Sequence, residues 1–366
     1  MGALRALGVE VDDARADWQV NPRPLTGAAR IDCGLAGTVM RFVPPVAALA
    51  DGATRFDGDE RARSRPMADM LHALEQVGVR LETPEGPRLP FSVVGRGGVT
   101  GGSVTLDASQ SSQFVSGLLL AGARYERGVD VRHVGPPLPS LPHVEMTVHE
   151  LRRRSVEVDD TVPDRWRVAP GRIAALDTTI EPDLSTAAPF LAAALVLGGR
   201  VRVADWPADT TQAGDRLRHL LPRLGGQVEL DSTGLTVTGS GDITGSDLDL
   251  HDAGELTPVV TALCALASSP SRLSGIAHLR GHESDRLSAL ATEINGLGGE
   301  VTQTTDGLRV VPRPLHAGCF RTYADHRLAQ AAAVLGLRVP GISVDDIACV
   351  AKTHPRFVEA WTALLR

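Results

Sequence analysis

The segment EPDLSTAAPFLAAALVLGG, Glu181–Gly199, sets a polar cluster ahead of a run that is apolar on every side. A helix with no polar face must be covered on every face, so this one belongs inside a core. The Asp and Ser ahead of it supply N-terminal capping chemistry. Four more segments of this kind follow or precede it at roughly 70-residue intervals, the signature of an internal repeat. They are LAGTVMRFVPPVAALA from Leu35, SSQFVSGLLLAGA from Ser111, GELTPVVTALCALAS from Gly254 and ADHRLAQAAAVLGL from Ala324.

Six amphipathic segments interleave with these five: MGALRALG at the start, MADMLHALEQVG from Met67, VEMTVHELRRRS from Val144, DRLRHLLPRLGG from Asp215, DRLSALATEINGLGG from Asp285 and FVEAWTALLR at the end. Most run into a Gly and then a β-branched residue, as at Gly8-Val9, Gly78-Val79 and Gly298 leading to Val301, which predicts helix stop followed by strand. The expected unit is therefore buried helix, strand, surface helix, strands. The polar clusters then share one end of the core. Unpaired N–H groups there collect partial positive charge suited to a phosphate or carboxylate. Carried backwards, the period places a sixth buried helix ahead of Met1, so the chain is expected to begin in the middle of a repeat.

At 366 residues with 43% hydrophobic and 22% charged residues, the composition is that of a soluble globular protein. No apolar run approaches the roughly 18 residues of a membrane span, and the N-terminus lacks the pattern of a signal peptide, so the expectation is a cytoplasmic protein without membrane contact. The net charge of −7 and the pI near 5.9 disfavour nucleic acid as a partner, as do only four Trp, two Tyr and seven Phe. Cys33, Cys264, Cys319 and Cys349 show no C-x-x-C spacing and are expected as buried thiols. Arg152, Arg153 and Arg154 fall on an amphipathic helix and predict a solvated face. GRGGVTGG, Gly95–Gly102, lacks the order of a phosphate-binding loop and predicts hairpin turns. His278, His282 and Glu283 run H-x-x-x-H-E, not H-E-x-x-H, which argues against a metal site.

APGRIAALDTTIEPD mixes turn residues with a short apolar strand and marks a boundary near Asp177, dividing the chain into 1–176 and 177–366. Two buried helices fall in the first part and three in the second.

Four motifs now converge: AGTVMRF at Ala36–Phe42, RSRPM at Arg63–Met67, SSQFVSGLLL from Ser111, and HESDRL followed by YADHRLA. In this order and with this repeat, the chain resembles the enolpyruvyl transferases, specifically the 5-enolpyruvylshikimate-3-phosphate synthases, over essentially its whole length. The resemblance implies an α/β fold: a two-domain, inside-out α/β barrel built from βαβαββ repeats, with buried helices pointing at an interdomain cleft that closes over substrate. The first domain would lack its first repeat helix. The implied reaction joins phosphoenolpyruvate to the 5-hydroxyl of shikimate 3-phosphate and releases phosphate, without metal or organic cofactor. It also implies a glyphosate target and a monomer.

By resemblance, phosphoenolpyruvate is held by Gly37, Thr38, Arg65, Gln113, Arg286, His326, Arg327 and Lys352. Shikimate 3-phosphate is held by Ser111, Ser112, Gln113, Ser140, Glu255, His278 and His282. Glu255, Glu283 and His282 are the implied catalytic groups for moving protons between the 5-hydroxyl and C3. Structural alternatives stand beside these: capping for one of the serines, a helix-dipole acid for Glu255, and a pairing with a nearby helix carboxylate for Arg286. Arg41 and Arg61 divide evenly between structural and binding roles. His143 stands where the family often has tyrosine, and His282 where it more usually has lysine. The family's N-terminal P-G-S-K-S-x-x-N-R motif has no counterpart, so the chain is expected to be a truncated form or one with a misplaced start. Two other readings are a UDP-N-acetylglucosamine enolpyruvyl transferase and a noncatalytic homologue that only binds ligand or a partner.

Overall fold

A computed structural model describes residues 1–366, and all five apolar runs are helical in it. The helices are α1 (Gly2–Ala6), α2 (Gly37–Ala47), α3 (Glu60–Arg63), α4 (Ala68–Gln76), α5 (Gln113–Gly122), α6 (Leu141–Arg153), α7 (Ala188–Leu197), α8 (Leu217–Arg223), α9 (Thr257–Ala265), α10 (Arg286–Gly296), α11 (His326–Gly336) and α12 (Phe357–Leu364). The apolar runs are α2, α5, α7, α9 and α11. Every residue of α9 is buried, and in α7 only Phe190 and Leu197 are not. α4, by contrast, buries Met70, Leu71, Ala73 and Leu74, one stripe at helical spacing. Each Leu or Val covered this way contributes about 1.5–3 kcal/mol, which offsets the ordering of the surrounding chain.

The chain divides into Met1–Asp177 and Thr178–Arg366. In the first unit α2 packs on α5; in the second α11 packs on α9 and α7. Each unit has its own hydrophobic core around these inner helices.

The strands complete the repeat. Arg30–Asp32 runs parallel to Asp51–Asp57, which pairs antiparallel with Phe91–Arg96, and that with Arg80–Glu82. The same order recurs for Gly102–Leu106, Val129–His133, Arg165–Val168 and Val158–Asp159. It recurs again for Asp247–Asp249, Ser271–Ser274, Leu308–Val311 and Glu300–Gln303. An inner helix crosses between the two parallel strands and an outer helix leads to the antiparallel pair. Arg200–Ala204, Gly234–Thr238 and Gln227–Asp231 form a three-stranded version after α7, and Gly318–Phe320 with Ile342–Val344 flank α11.

The helix stops are local and repeated. Gly8, Gly78, Gly225 and Gly298 follow their outer helices at φ of 87°, 92°, 99° and 92°, a conformation that costs glycine nothing. After α6 the same left-handed position is held by Ser155, at φ 61°.

Three expectations are corrected. Gly95–Gly102 does not reverse the chain within a sheet: Phe91–Arg96 and Gly102–Leu106 belong to different sheets, and the glycines let the connection pass close to the Ala50 carbonyl and the Gly128 backbone. Cys33 and Cys264 are buried, but Cys319 is exposed on the outer side of a two-stranded sheet and Cys349 is half-buried. The apolar stretch around Ile173 forms no strand, its Ala174 N–H instead capping toward the Arg154 carbonyl. Arg152 to Arg154 do form a solvated face, bonded to Asp160 and Glu150.

Candidate active site

In the first unit the charged and hydroxylic residues meet where α2 and α5 begin. Arg41, the fifth residue of α2, is 4% exposed and donates to Ser111 Oγ and Gln113 Oε1, both at 2.9 Å. Its guanidinium also lies 5.2 Å from the Phe114 ring centre. Burial, together with the nearby Arg65 cation, pushes its acidity up, so the pair of arginines is poised for an anion to relieve it. Arg65 reaches back to donate to the Leu35 carbonyl at 3.1 Å, which places its guanidinium against Gly37. A Cβ at position 37 would meet Arg65 Nη2 and Nη1 at 3.0 and 3.1 Å and Gln113 Oε1 at 3.2 Å. Thr38 is exposed beside it, and Arg63 is taken up by Asp57.

The capping alternative for the serines is not what the structure uses. Ser112 precedes α5 in helical conformation, and Ser140 precedes α6 at φ 53°; neither makes a side-chain capping bond. A serine in the left-handed region is strained, and such strain collects at functional positions. Ser111 Oγ serves Arg41, with only a 3.4 Å approach from the Gln113 N–H.

In the second unit, the beginnings of α9, α10 and α11 are joined through Arg286. This side chain is 1% exposed; its Nε and Nη2 donate to the two oxygens of Asp325 at 2.8 and 3.2 Å, and Nη1 donates to Glu255 Oε2 at 2.9 Å. The carboxylate pairing for Arg286 is therefore real, with most of its donors engaged. Asp325 is fully buried and also caps α11 by accepting from the Arg327 N–H at 2.9 Å and from Ser284 Oγ at 3.0 Å. Arg327 Nε lies 3.6 Å from Glu255 Oε2 and makes no hydrogen bond, which leaves it the more available cation.

Glu255 sits in a 3₁₀ turn, His251–Leu256, ahead of α9 and not in its first turn. Burial would raise its pKa, but Arg286, His282 and Arg327 outweigh burial and hold it well below the ordinary carboxylate range. Glu283 bridges His326 Nδ1, at 3.0 Å, and the Lys352 ammonium. Against the cost of burial, His326 and Lys352 hold it down to about 2. Because the carboxylate must accept, His326 carries a proton on Nδ1. His282 Nδ1 is 3.3 Å from Arg286 Nη1 and 3.6 Å from Glu255 Oε1. His278, in a short 3₁₀ turn, lies beside His282 with ring centres 5.5 Å apart and the rings tilted. Burial and the neighbouring His251 push it down to about 4, so at neutral pH it offers hydrogen bonds without charge.

Oxygen and nitrogen atoms of Glu283, Asp325 and His326 lie within 4.8 Å of one another, close enough to hold a metal ion. Lys352 and Arg286 already face the two carboxylates, so the donor set is neutralised from within.

The structure thus gathers Gly37, Arg65, Ser111, Ser112 and Gln113 in one cluster and Glu255, His278, His282, Glu283, Arg286, His326, Arg327 and Lys352 in another. Sequence reasoning missed Asp325 as the hub of the second cluster, although it stands in the quoted DHR triplet. It also missed Glu293, which accepts from the Arg321 N–H and from Tyr323 Oη and so steadies the left-handed pair Tyr323-Ala324 that presents Asp325.

Known proteins resemble this chain along its length. The family model described as EPSP synthase (3-phosphoshikimate 1-carboxyvinyltransferase) matches residues 1–361. A 3-phosphoshikimate 1-carboxyvinyltransferase of Kocuria rhizophila is 55% identical over 376 aligned residues, covering 100% of this chain and 84% of that protein. Among solved structures, an EPSP synthase from Acinetobacter baumannii superposes with a TM-score of 0.78 at 23% identity, over 99% of this chain and 86% of the other. The enolpyruvyl transferase NikO from Streptomyces tendae gives 0.75 at 20% identity, over 99% and 85%. These two show the fold, an enolpyruvyl transferase fold. With a match along nearly its whole length and a relative identical at more than half of the aligned positions, the chain belongs to the EPSP synthase family.

Proposed function

We propose that the chain catalyses the reaction of its family, transfer of the enolpyruvyl group from phosphoenolpyruvate to the 5-hydroxyl of shikimate 3-phosphate with release of phosphate. The observation that carries this reading is the balance around Arg286: buried Arg286 and Arg327 at the beginnings of α10 and α11, with the more exposed Lys352 beside them, each matched to an ionised carboxylate that can also move a proton. Phosphate and carboxylate ligands fit such a site because charge-assisted hydrogen bonds to Arg are strong in low dielectric.

Arg65, Arg286, Arg327, Lys352 and His326 bind phosphoenolpyruvate, with Gly37, Thr38 and Gln113 beside its phosphate. Ser111, Ser112, Gln113 and Ser140 take the shikimate phosphate, and Glu255, His278 and His282 the ring hydroxyls. Glu255, ionised at neutral pH, accepts the proton of the 5-hydroxyl as its oxygen adds to C2 of phosphoenolpyruvate. C3 receives a proton through Glu283, which takes it from Lys352 or His326 because its own carboxylate holds none. The resulting tetrahedral intermediate carries both substrates. Loss of phosphate, with return of a C3 proton to Glu283, completes the transfer. We further assign the chain to the cytoplasm as a monomer; no helix is long and apolar enough to cross a membrane.

The test is phosphate release from phosphoenolpyruvate by the purified 366-residue chain, with and without shikimate 3-phosphate. Acceptor-dependent release is expected. Release dependent on UDP-N-acetylglucosamine instead, or binding of shikimate 3-phosphate with no release, overturns the assignment.

A further inference from the structure

We infer that His133 is a positioning residue for shikimate 3-phosphate, clamping together the two loops that present its serines. This rests on the assignment of Ser111, Ser112 and Ser140 to that substrate.

His133 ends the strand Val129–His133, is 6% exposed, and touches neither candidate cluster directly. Its ring holds two loops at once. Nδ1 accepts from the Ala108 N–H at 3.1 Å, and Nε2 lies 2.8 Å from the Pro136 carbonyl. An amide N–H can only donate and a carbonyl can only accept, so the imidazole is neutral with its proton on Nε2. An imidazolium cannot take the first bond, and the other tautomer can make neither.

Each bond leads toward a serine. Ala108, whose N–H is held by the ring, accepts at its own carbonyl from the Ser111 N–H at 3.0 Å. The ring therefore fixes one side of the turn that sets Ser111 before α5. On the other arm, Pro136 begins the run Pro136-Pro137-Leu138-Pro139 that ends at Ser140, whose φ of 53° needs its approach held. Three prolines lock φ along that run, so a fixed Pro136 transmits its position to Ser140 with little slack. The two loops also touch directly. A Cβ on Gly135 would strike the Asp107 carboxylate at 2.8 Å, and Asp107 Oδ1 accepts from the Ser109 N–H at 2.8 Å. One neutral ring thus sets the spacing between hydroxyls that the substrate phosphate must bridge.

The test compares wild type, His133→Ala and His133→Asn in calorimetric titration with shikimate 3-phosphate and in steady-state kinetics. Loss of both bonds in H133A is expected to weaken shikimate 3-phosphate, in Kd and KM alike, by about tenfold or more, with kcat and the KM for phosphoenolpyruvate changed by less than about threefold. In H133N, Oδ1 replaces Nδ1 as the acceptor for Ala108, and part of the affinity is expected to return. Unchanged affinity in H133A, or an H133N no better than H133A, overturns the clamp. Should H133A fold poorly, ¹⁵N spectra of the wild-type ring decide: a proton on Nε2 across neutral pH is expected, and a proton on Nδ1 overturns it. A wild-type chain that binds no shikimate 3-phosphate removes the substrate assignment, and this inference with it.

Discussion

Asp325 grips Arg286 with both carboxylate oxygens, across 39 residues of sequence, in a setting where the two side chains are 0% and 1% exposed. Burial alone would drive this carboxyl toward its neutral form, but Arg286 outweighs that and holds it below the ordinary range. One carboxylate thereby fixes a guanidinium and the backbone at the start of α11. In Asp325→Asn the amide keeps the shape and loses the charge, leaving Arg286 undercompensated. Breaking a buried pair this way costs about 3–5 kcal/mol of stability. Denaturant unfolding is expected to show that loss, and kinetics a KM for phosphoenolpyruvate raised by about tenfold or more, since Arg286 and Arg327 both lose their settings. Wild-type stability and KM in D325N would refute the role of this pair.

Gly37 is a matter of space. The Arg65 guanidinium stands where a methyl group would come within 3.0–3.1 Å of two of its nitrogens, and Arg65 is tethered at the Leu35 carbonyl. Gly37→Ala is therefore expected to displace the guanidinium by a few tenths of an ångström. The KM for phosphoenolpyruvate should rise severalfold while the affinity for shikimate 3-phosphate holds. Equal weakening of both substrates would show that the substitution disturbs α2 as a whole.

The repeat was legible because its signals are local. An all-apolar run such as α7 has one possible place, and a glycine after an outer helix stops it whatever the rest of the chain does. The succession of helices and strands along the chain followed from the same period. The site was legible only where short motifs carried it, as in HESDRL and YADHRLA. Contacts closed by tertiary structure were not: the Asp325–Arg286 grip, Glu293 catching Tyr323, and His133 between two loops join residues about 25 to 40 positions apart or turn on a tautomer that no spacing encodes. For the serines before α5 the sequence left capping open beside the substrate role that the resemblance implies, because backbone conformation is not encoded in residue type: it is helical at Ser112 and left-handed at Ser140, and neither hydroxyl makes a capping bond.

Glu283 makes stability depend on acid. Its carboxyl titrates at about 2 in the folded chain, against about 4.3 for an unperturbed glutamate. The unfolded state therefore takes up its proton first as pH falls. The contribution is complete above the unfolded value and is lost as pH falls through the folded one, between about pH 5 and pH 2. Denaturant midpoints across this window should fall more steeply for wild type than for Glu283→Gln. Turnover of E283Q at neutral pH is expected to drop by about 10²–10⁴-fold, because the amide cannot carry the C3 proton. Parallel pH curves for the two proteins would show that Lys352 and His326 do not hold this carboxylate.

Ser155 tests the repeat independently of the site. Its N–H bonds to the Arg152 carbonyl at 3.0 Å and the Val156 N–H to the Leu151 carbonyl at 3.0 Å, the same two bonds that Gly78 and Val79 make to Glu75 and Leu74. Four outer helices meet this geometry with glycine, while α6 meets it with a side chain at φ 61°. A Cβ in the left-handed region costs about 1–2 kcal/mol, and glycine gives back part of that gain through the greater freedom of its unfolded chain. Ser155→Gly is therefore expected to stabilise the protein by about 0.5–1 kcal/mol, raising Tm by about 1–3 °C. Ser155→Ala keeps the Cβ and should gain nothing. If alanine stabilises as much as glycine, the hydroxyl and not the backbone is the source, and the strain assigned to this turn is absent.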